Sequence, residues 1–72
     1  MKIKLEKIKD IKEFVRRASR YKDLTLHEDN YIVPANSLMG LFALNLDNPL
    51  ELRYGSNKEG DIRKDFQEWV VG

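Results

Sequence analysis

The chain has 72 residues, 42% of them hydrophobic and 35% charged, with a formal net charge of +1, no cysteine and a single histidine. This composition describes one small domain, residues 1–72, and excludes a second core and a disordered chain. It also excludes disulfides, thiolate metal sites and cysteine nucleophiles, and with one histidine no metal or other cofactor is expected.

The net charge conceals an asymmetry. Residues 1–22 carry +6 and residues 23–72 carry −5. A basic leading segment suits an acidic protein surface, a phosphate group or nucleic acid, and it is also compatible with pairing to the acidic remainder or with a solvated helix face. The opening MKIKLEKIKD interleaves charges with aliphatics and has no continuous apolar run. Neither a signal peptide nor a membrane span is expected there, and the expected location is cytoplasmic.

Ile3 and Leu5 alternate with charged residues, which predicts a short half-buried strand. Ile8, Ile11, Val15, Ala18 and Tyr21, widened by Phe14, then recur at three or four residues and predict an amphipathic helix ending close to Tyr21. Its other face carries Lys9, Lys12, Glu13, Arg16, Arg17 and Arg20. Leu24 and Leu26, the acidic turn Glu28–Asn30 and the run Tyr31–Val33 predict a β-hairpin that Pro34 terminates. Asn36 and Ser37 offer caps for a short helix, in which Leu38, Met39, Leu41, Phe42, Leu44 and Leu46 are too crowded all to face inward. Leu50, Leu52 and Tyr54 alternate as a last strand. Ser56 and Glu59 have the spacing of a capping box ahead of a final helix through Ile62, Phe66, Trp69 and Val70, reaching almost to Gly72. The predicted fold class is α+β, an open four-stranded antiparallel sheet with three helices on one face, in the order βαββαβα.

At these residues the chain resembles a known family. ANSLMGLFALNL, residues 35–46, resembles the signature of HPr, the histidine-containing phosphocarrier of the bacterial sugar phosphotransferase system, which typically reads K-S-I-M-G-V-M-S-L. FVRRASRY, residues 14–21, is similar to the end of that family's first helix, and LELRYGSNKEGDI, residues 50–62, to its last strand and the entry to its last helix. The resemblance runs from about residue 11 onward and implies an open-faced β-sandwich.

The family's catalytic His-Ala-Arg-Pro-Ala is absent. Counting back from Ala18 and Ser19, the histidine position falls on Lys7. An ammonium group protonated at neutral pH has no lone pair for attack, so the chain is expected not to be an enzyme or a working phosphocarrier. Ser37 matches the family's regulatory serine, where phosphorylation would set a phosphate against backbone N–H groups, although Asn36 stands where lysine is frequent and a serine here also serves simply as a cap. Leu38, Met39 and Phe42 match positions that the family uses to dock protein partners; the plainer reading is that they cover a thin core. Lys12, Arg16 and Arg20, with Lys9, would rim that surface. Nucleic acid is not an expected partner, because the basic cluster lacks interleaved aromatics. His27, placed on the strand face away from Leu24 and Leu26, reads as an ordinary surface residue.

The expectation is a non-catalytic regulatory or protein-binding module, monomeric or weakly dimeric, with phosphotransferase-system enzymes or a transcriptional regulator as partners. The alternatives are an active phosphocarrier component of that system and a repurposed structural or oligomeric scaffold.

Overall fold

The computed structural model describes residues 1–72, and its elements are β1 (Lys2–Ile3), α1 (Ile8–Ala18), β2 (Thr25–Glu28), β3 (Tyr31–Pro34), α2 (Leu38–Phe42), β4 (Leu50–Arg53) and α3 (Glu59–Phe66). The four strands form one antiparallel sheet in the order β1-β4-β2-β3. This is the predicted α+β class, with the predicted numbers of strands and helices.

The register explains why one face of the sheet is covered. Ile3 lies opposite Leu50, and Leu26 lies opposite both Leu52 and Val33, so the apolar members of each alternating pair share a face. Ile3, Leu26, Leu50 and Leu52 are wholly buried there against Ile11, Phe14, Leu41, Ile62 and Phe66 from the helices. Lys2, Thr25, His27, Ile32, Glu51 and Arg53 occupy the uncovered face. His27 is among them, as expected, with its Nε2 2.9 Å from Thr25 Oγ1.

Aromatic packing joins α1 to α3. Phe14 meets Phe66 at 4.8 Å between ring centroids and Trp69 at 5.7 Å in an edge-on arrangement. Arg17 stacks its guanidinium 4.7 Å from the Trp69 ring, donates a 2.8 Å hydrogen bond to the Asp65 carbonyl and pairs with Glu13 and Glu68. One part of the basic segment is therefore committed internally to the acidic remainder. Tyr21 donates its hydroxyl hydrogen to Asp65, and this bond, with burial behind it, pushes the phenol up to about 12. Because the folded value lies above the ordinary one, that stabilisation is complete below about pH 10 and is lost as pH rises toward 12.

Four boundaries differ from those expected. β1 stops at Ile3 because the Lys4 N–H bonds the Trp69 carbonyl at 2.8 Å, although Leu5 is still buried. α1 ends at Ala18; the chain reaches Tyr21 through tighter bonds from the N–H groups of Arg20 and Tyr21 to the carbonyls of Arg17 and Ala18, and Asp23 then turns left-handed. Ser56 does not cap α3. The turn Tyr54–Asn57, closed by a 2.8 Å backbone bond, directs the Ser56 hydroxyl to Asp23 instead, and the helix starts after Lys58 with no side-chain cap. The last helix ends at Phe66, not near Gly72. A single 3-10 turn, Gln67–Trp69, follows, and Val70 becomes extended and bridges Ile3, with the Val71 N–H on the Lys2 carbonyl at 2.9 Å. The free edge of β1 is thereby closed.

No helix is long and apolar enough to cross a membrane.

Candidate functional site

Pro34 ends β3, and the chain reverses at once. The Ala35 N–H returns to the Leu24 carbonyl at 2.9 Å and the Ser37 N–H to the Pro34 carbonyl at 3.1 Å. Ser37 then sits in extended conformation as the N-cap of α2, its Oγ accepting the Gly40 N–H at 3.0 Å, as the sequence predicts. Gly40 lets this one-turn helix lie close on β3. A methyl group there would stand 3.0 Å from Ser37 Oγ and 3.1 Å from Val33 Cβ.

This seating decides which apolar residues of the crowded segment face inward. Leu41 and Leu44 enter the core, whereas Met39 is 81% and Phe42 49% exposed. Leu38 is a correction to the predicted surface: it is half-buried and packs against the core, so Met39 and Phe42 carry the patch. Ser37 is also half-buried.

α1 packs beside α2. Ala18 and Tyr21 line the same open cleft, of about 460 Å³, as Pro34 and Asn36, which sets the end of α1 beside the start of α2. Arg17 and Phe14 lie on the flank of α1 that meets Trp69 and Phe66. Helical spacing puts Ile8, Lys12 and Val15 on the opposite flank, toward α2. Ile8 was expected in the buried stripe but is 63% exposed. The stripe is centred on Ile11, Phe14 and Ala18 and leaves Ile8 in solvent. Phe14 lies at the centre of the buried face and not at its edge, which puts Ile8 at the margin.

The predicted basic rim divides in two: Lys9, Lys12 and Arg20 are exposed without an ion pair, and Arg16 is paired. Lys12 is exposed and makes no ion pair, on the flank toward α2. Arg16 is exposed but engaged by Glu13 through its Nε at 3.0 Å and a second guanidinium nitrogen. Arg20 is exposed beyond the end of α1, in the turn that leads to the cleft, and also lacks an ion pair. Lys7 is exposed as the N-cap of α1 and makes no side-chain cap.

Hydrogen bonds from Arg16 and then Arg17 hold the Glu13 carboxyl at about 2, well below its ordinary value. A carboxyl with a lowered folded pKa stabilises the fold above its unfolded value of about 4.3 and loses that contribution as pH falls toward 2. In a carboxyl NMR titration Glu13 is expected to be the most acid-shifted glutamate, and Arg16→Gln combined with Arg17→Gln should return it toward about 4.3. A midpoint unmoved by the double substitution would show that the two guanidinium groups are not its cause.

No group of three His, Asp or Glu side chains is placed to hold a metal, and no buried side-chain polar atom lacks a partner. What α2 offers is contact: a deformable thioether and a flat ring exposed to solvent. No family model matches the sequence, and no curated protein or solved structure matches it either.

Proposed function

We propose that this chain is a non-catalytic, HPr-like binding module related to the phosphoenolpyruvate-dependent sugar phosphotransferase system, acting in the cytoplasm by docking a protein partner on α2 and the adjoining flank of α1. The observation that carries this reading is the division of α2 and the residues just after it, which sends Leu41 and Leu44 into the core and keeps Met39 and Phe42 in solvent. Large apolar side chains left in solvent side by side on one helix are a common mark of an interaction site. Lys12 on α1, which packs beside α2, and Arg20 just beyond the end of α1 make no ion pair, and free positive charge favours an acidic partner surface. The βαββαβα order and the capping geometry of Ser37 accord with the resemblance in residues 35–46. Phosphorylation of Ser37 would replace the hydroxyl that accepts the Gly40 N–H with a doubly charged group beside the docking residues, which makes it a switch for this surface.

Titration against enzyme I, sugar-specific acceptor domains and the transcriptional regulators of the same system tests the proposal. One of them is expected to bind. Phe42→Ala and Met39→Ala should each weaken that binding about tenfold or more, because both side chains are exposed and their loss leaves the core intact. Incubation with phosphoenolpyruvate and enzyme I is expected to leave the mass unchanged, and an acid-labile gain of about 80 Da would show phosphotransfer instead. Absence of binding to every partner, or binding indifferent to both substitutions, refutes the docking surface.

A further inference from the structure

The chain has no cysteine and two methionines, so its only soft, readily oxidised sulfur atoms are those of Met1 and Met39. The fold treats the two in opposite ways. The Met1 side chain is 2% exposed and packs against the core, and the Met1 carbonyl accepts the Leu52 N–H at 2.7 Å, which holds the residue on the sheet. Met39 is 81% exposed, more than any other large hydrophobic residue of the chain. The seating of α2 does not use it. Leu41 enters the core, Ser37 Oγ accepts the Gly40 N–H, and Gly40 approaches Val33 closely. Phe42, three residues on, is its neighbour on the helix surface.

Oxidation of a thioether by a hydroperoxide needs access to the sulfur and no other group. A sulfur lone pair attacks the terminal peroxide oxygen and the O–O bond breaks. Sulfur keeps that oxygen as a sulfoxide, and with hydrogen peroxide the departing hydroxide takes the proton of the transferred oxygen and leaves as water. Sulfur is oxidised by two electrons and the peroxide is reduced by two. The product replaces a flexible apolar side chain with a polar, chiral one. At Met1 the added oxygen would enter the core, whereas at Met39 it changes only what the surface presents.

We propose that Met39 is a reversible oxidation site that turns off docking on α2: a hydroperoxide converts its thioether to the sulfoxide without unfolding the chain, and a methionine sulfoxide reductase reverses the change. In the reverse step a dithiol is the reductant; the sulfoxide oxygen leaves as water and the dithiol closes to a disulfide. This inference rests on the reading of Met39 and Phe42 as docking residues. A sulfoxide oxygen in solvent is hydrogen-bonded to water, and pressing it against the apolar surface of a partner strands it without an acceptor's partner. The same side chain that adapts to a partner when reduced therefore opposes it when oxidised.

Graded hydrogen peroxide followed by peptide mass spectrometry and amide exchange tests the site. A gain of about 16 Da, one oxygen, is expected on Met39 about tenfold faster than on Met1, with the exchange pattern of the core unchanged. Comparable rates at the two methionines, or a core that opens once Met39 is oxidised, overturn the proposal. After removal of the peroxide, the oxidised protein is titrated against the partner that the unmodified protein binds. Its dissociation constant should rise about tenfold or more and return after treatment with the reductases. Met39→Leu, which keeps the apolar volume and has no sulfur, should bind equally before and after peroxide. Binding that survives complete oxidation of Met39 overturns the proposal and spares the docking surface, whereas an unmodified protein that binds no partner overturns both.

Discussion

Phe14→Ala is expected to remove a large part of the stability of the fold. Phe14 is wholly buried, packs on Phe66 and Trp69, and stands where α1, α3 and the sheet meet. Truncating a buried phenylalanine costs about 3–5 kcal/mol, the lost transfer free energy plus the cavity left behind. A domain of this size has roughly 4–11 kcal/mol in total, so the loss is a large part of what holds it together. There is little to compensate, since the chain has no disulfide and no metal cluster. Urea denaturation followed by tryptophan fluorescence measures the effect directly, because Trp69 is one of the rings that Phe14 touches. Phe14→Leu, which keeps much of the volume, should retain a cooperative transition and lose only about 1–2 kcal/mol. Similar losses for both substitutions would mean that aromatic geometry matters more than filled volume.

Gly55→Ala is expected to destabilise the fold by about 2–3 kcal/mol without touching the core. Gly55 has φ +53°, in the left-handed region, and an added Cβ would meet the Asp23 Cβ at 2.8 Å and its carbonyl oxygen at 3.0 Å. Asp23 is itself left-handed, at φ 64°. The turn after α1 and the turn after β4 thus interlock at two left-handed residues, held further by the Asn57 side-chain amide on the Lys22 and Tyr54 carbonyls. Asp23→Gly removes one of the colliding atoms and relaxes its own backbone. In a double-mutant cycle it should recover part of the stability lost in Gly55→Ala, giving a favourable coupling of about 1 kcal/mol, whereas independent sites would add. Additivity within error would place the cost of Gly55→Ala in its backbone alone.

The elements that periodicity located were those with a single demand on them. The alternations of Leu24 with Leu26 and of Leu50 with Leu52, and the spacing of Ile11, Phe14 and Ala18, need only a buried face, and these were legible. The boundaries that moved depend on long-range partners. Nothing local in Gln67–Gly72 announces that Val70 will abandon a helix to bridge Ile3, and the Ser56 hydroxyl is drawn away by Asp23, far off in sequence. Within the candidate site, the cap at Ser37 was readable from local sequence, whereas Met39 and Phe42 were singled out by the resemblance, which grouped them with the half-buried Leu38. The exposure of Ile8 was not readable, because a stripe of apolar residues does not mark its own margin. The engagement of Arg16 and Arg17 by Glu13 was also hidden, since their shared position on the charged face does not say which cations remain unpaired.

The closure of β1 by Val70 and Val71 also orders events in time. β1 is two residues long, and both of its neighbours, β4 and the segment after Trp69, come from the far part of the chain. Local pairings such as the β2–β3 hairpin form after a short loop closes, but β1 has no partner until long loops have been closed. β1 is therefore among the last strands to be fixed. Until it is, Ile3 and Leu5, both buried in the finished fold, stay in water, and the aromatic cluster formed by α1, α3 and Trp69 has to assemble without them.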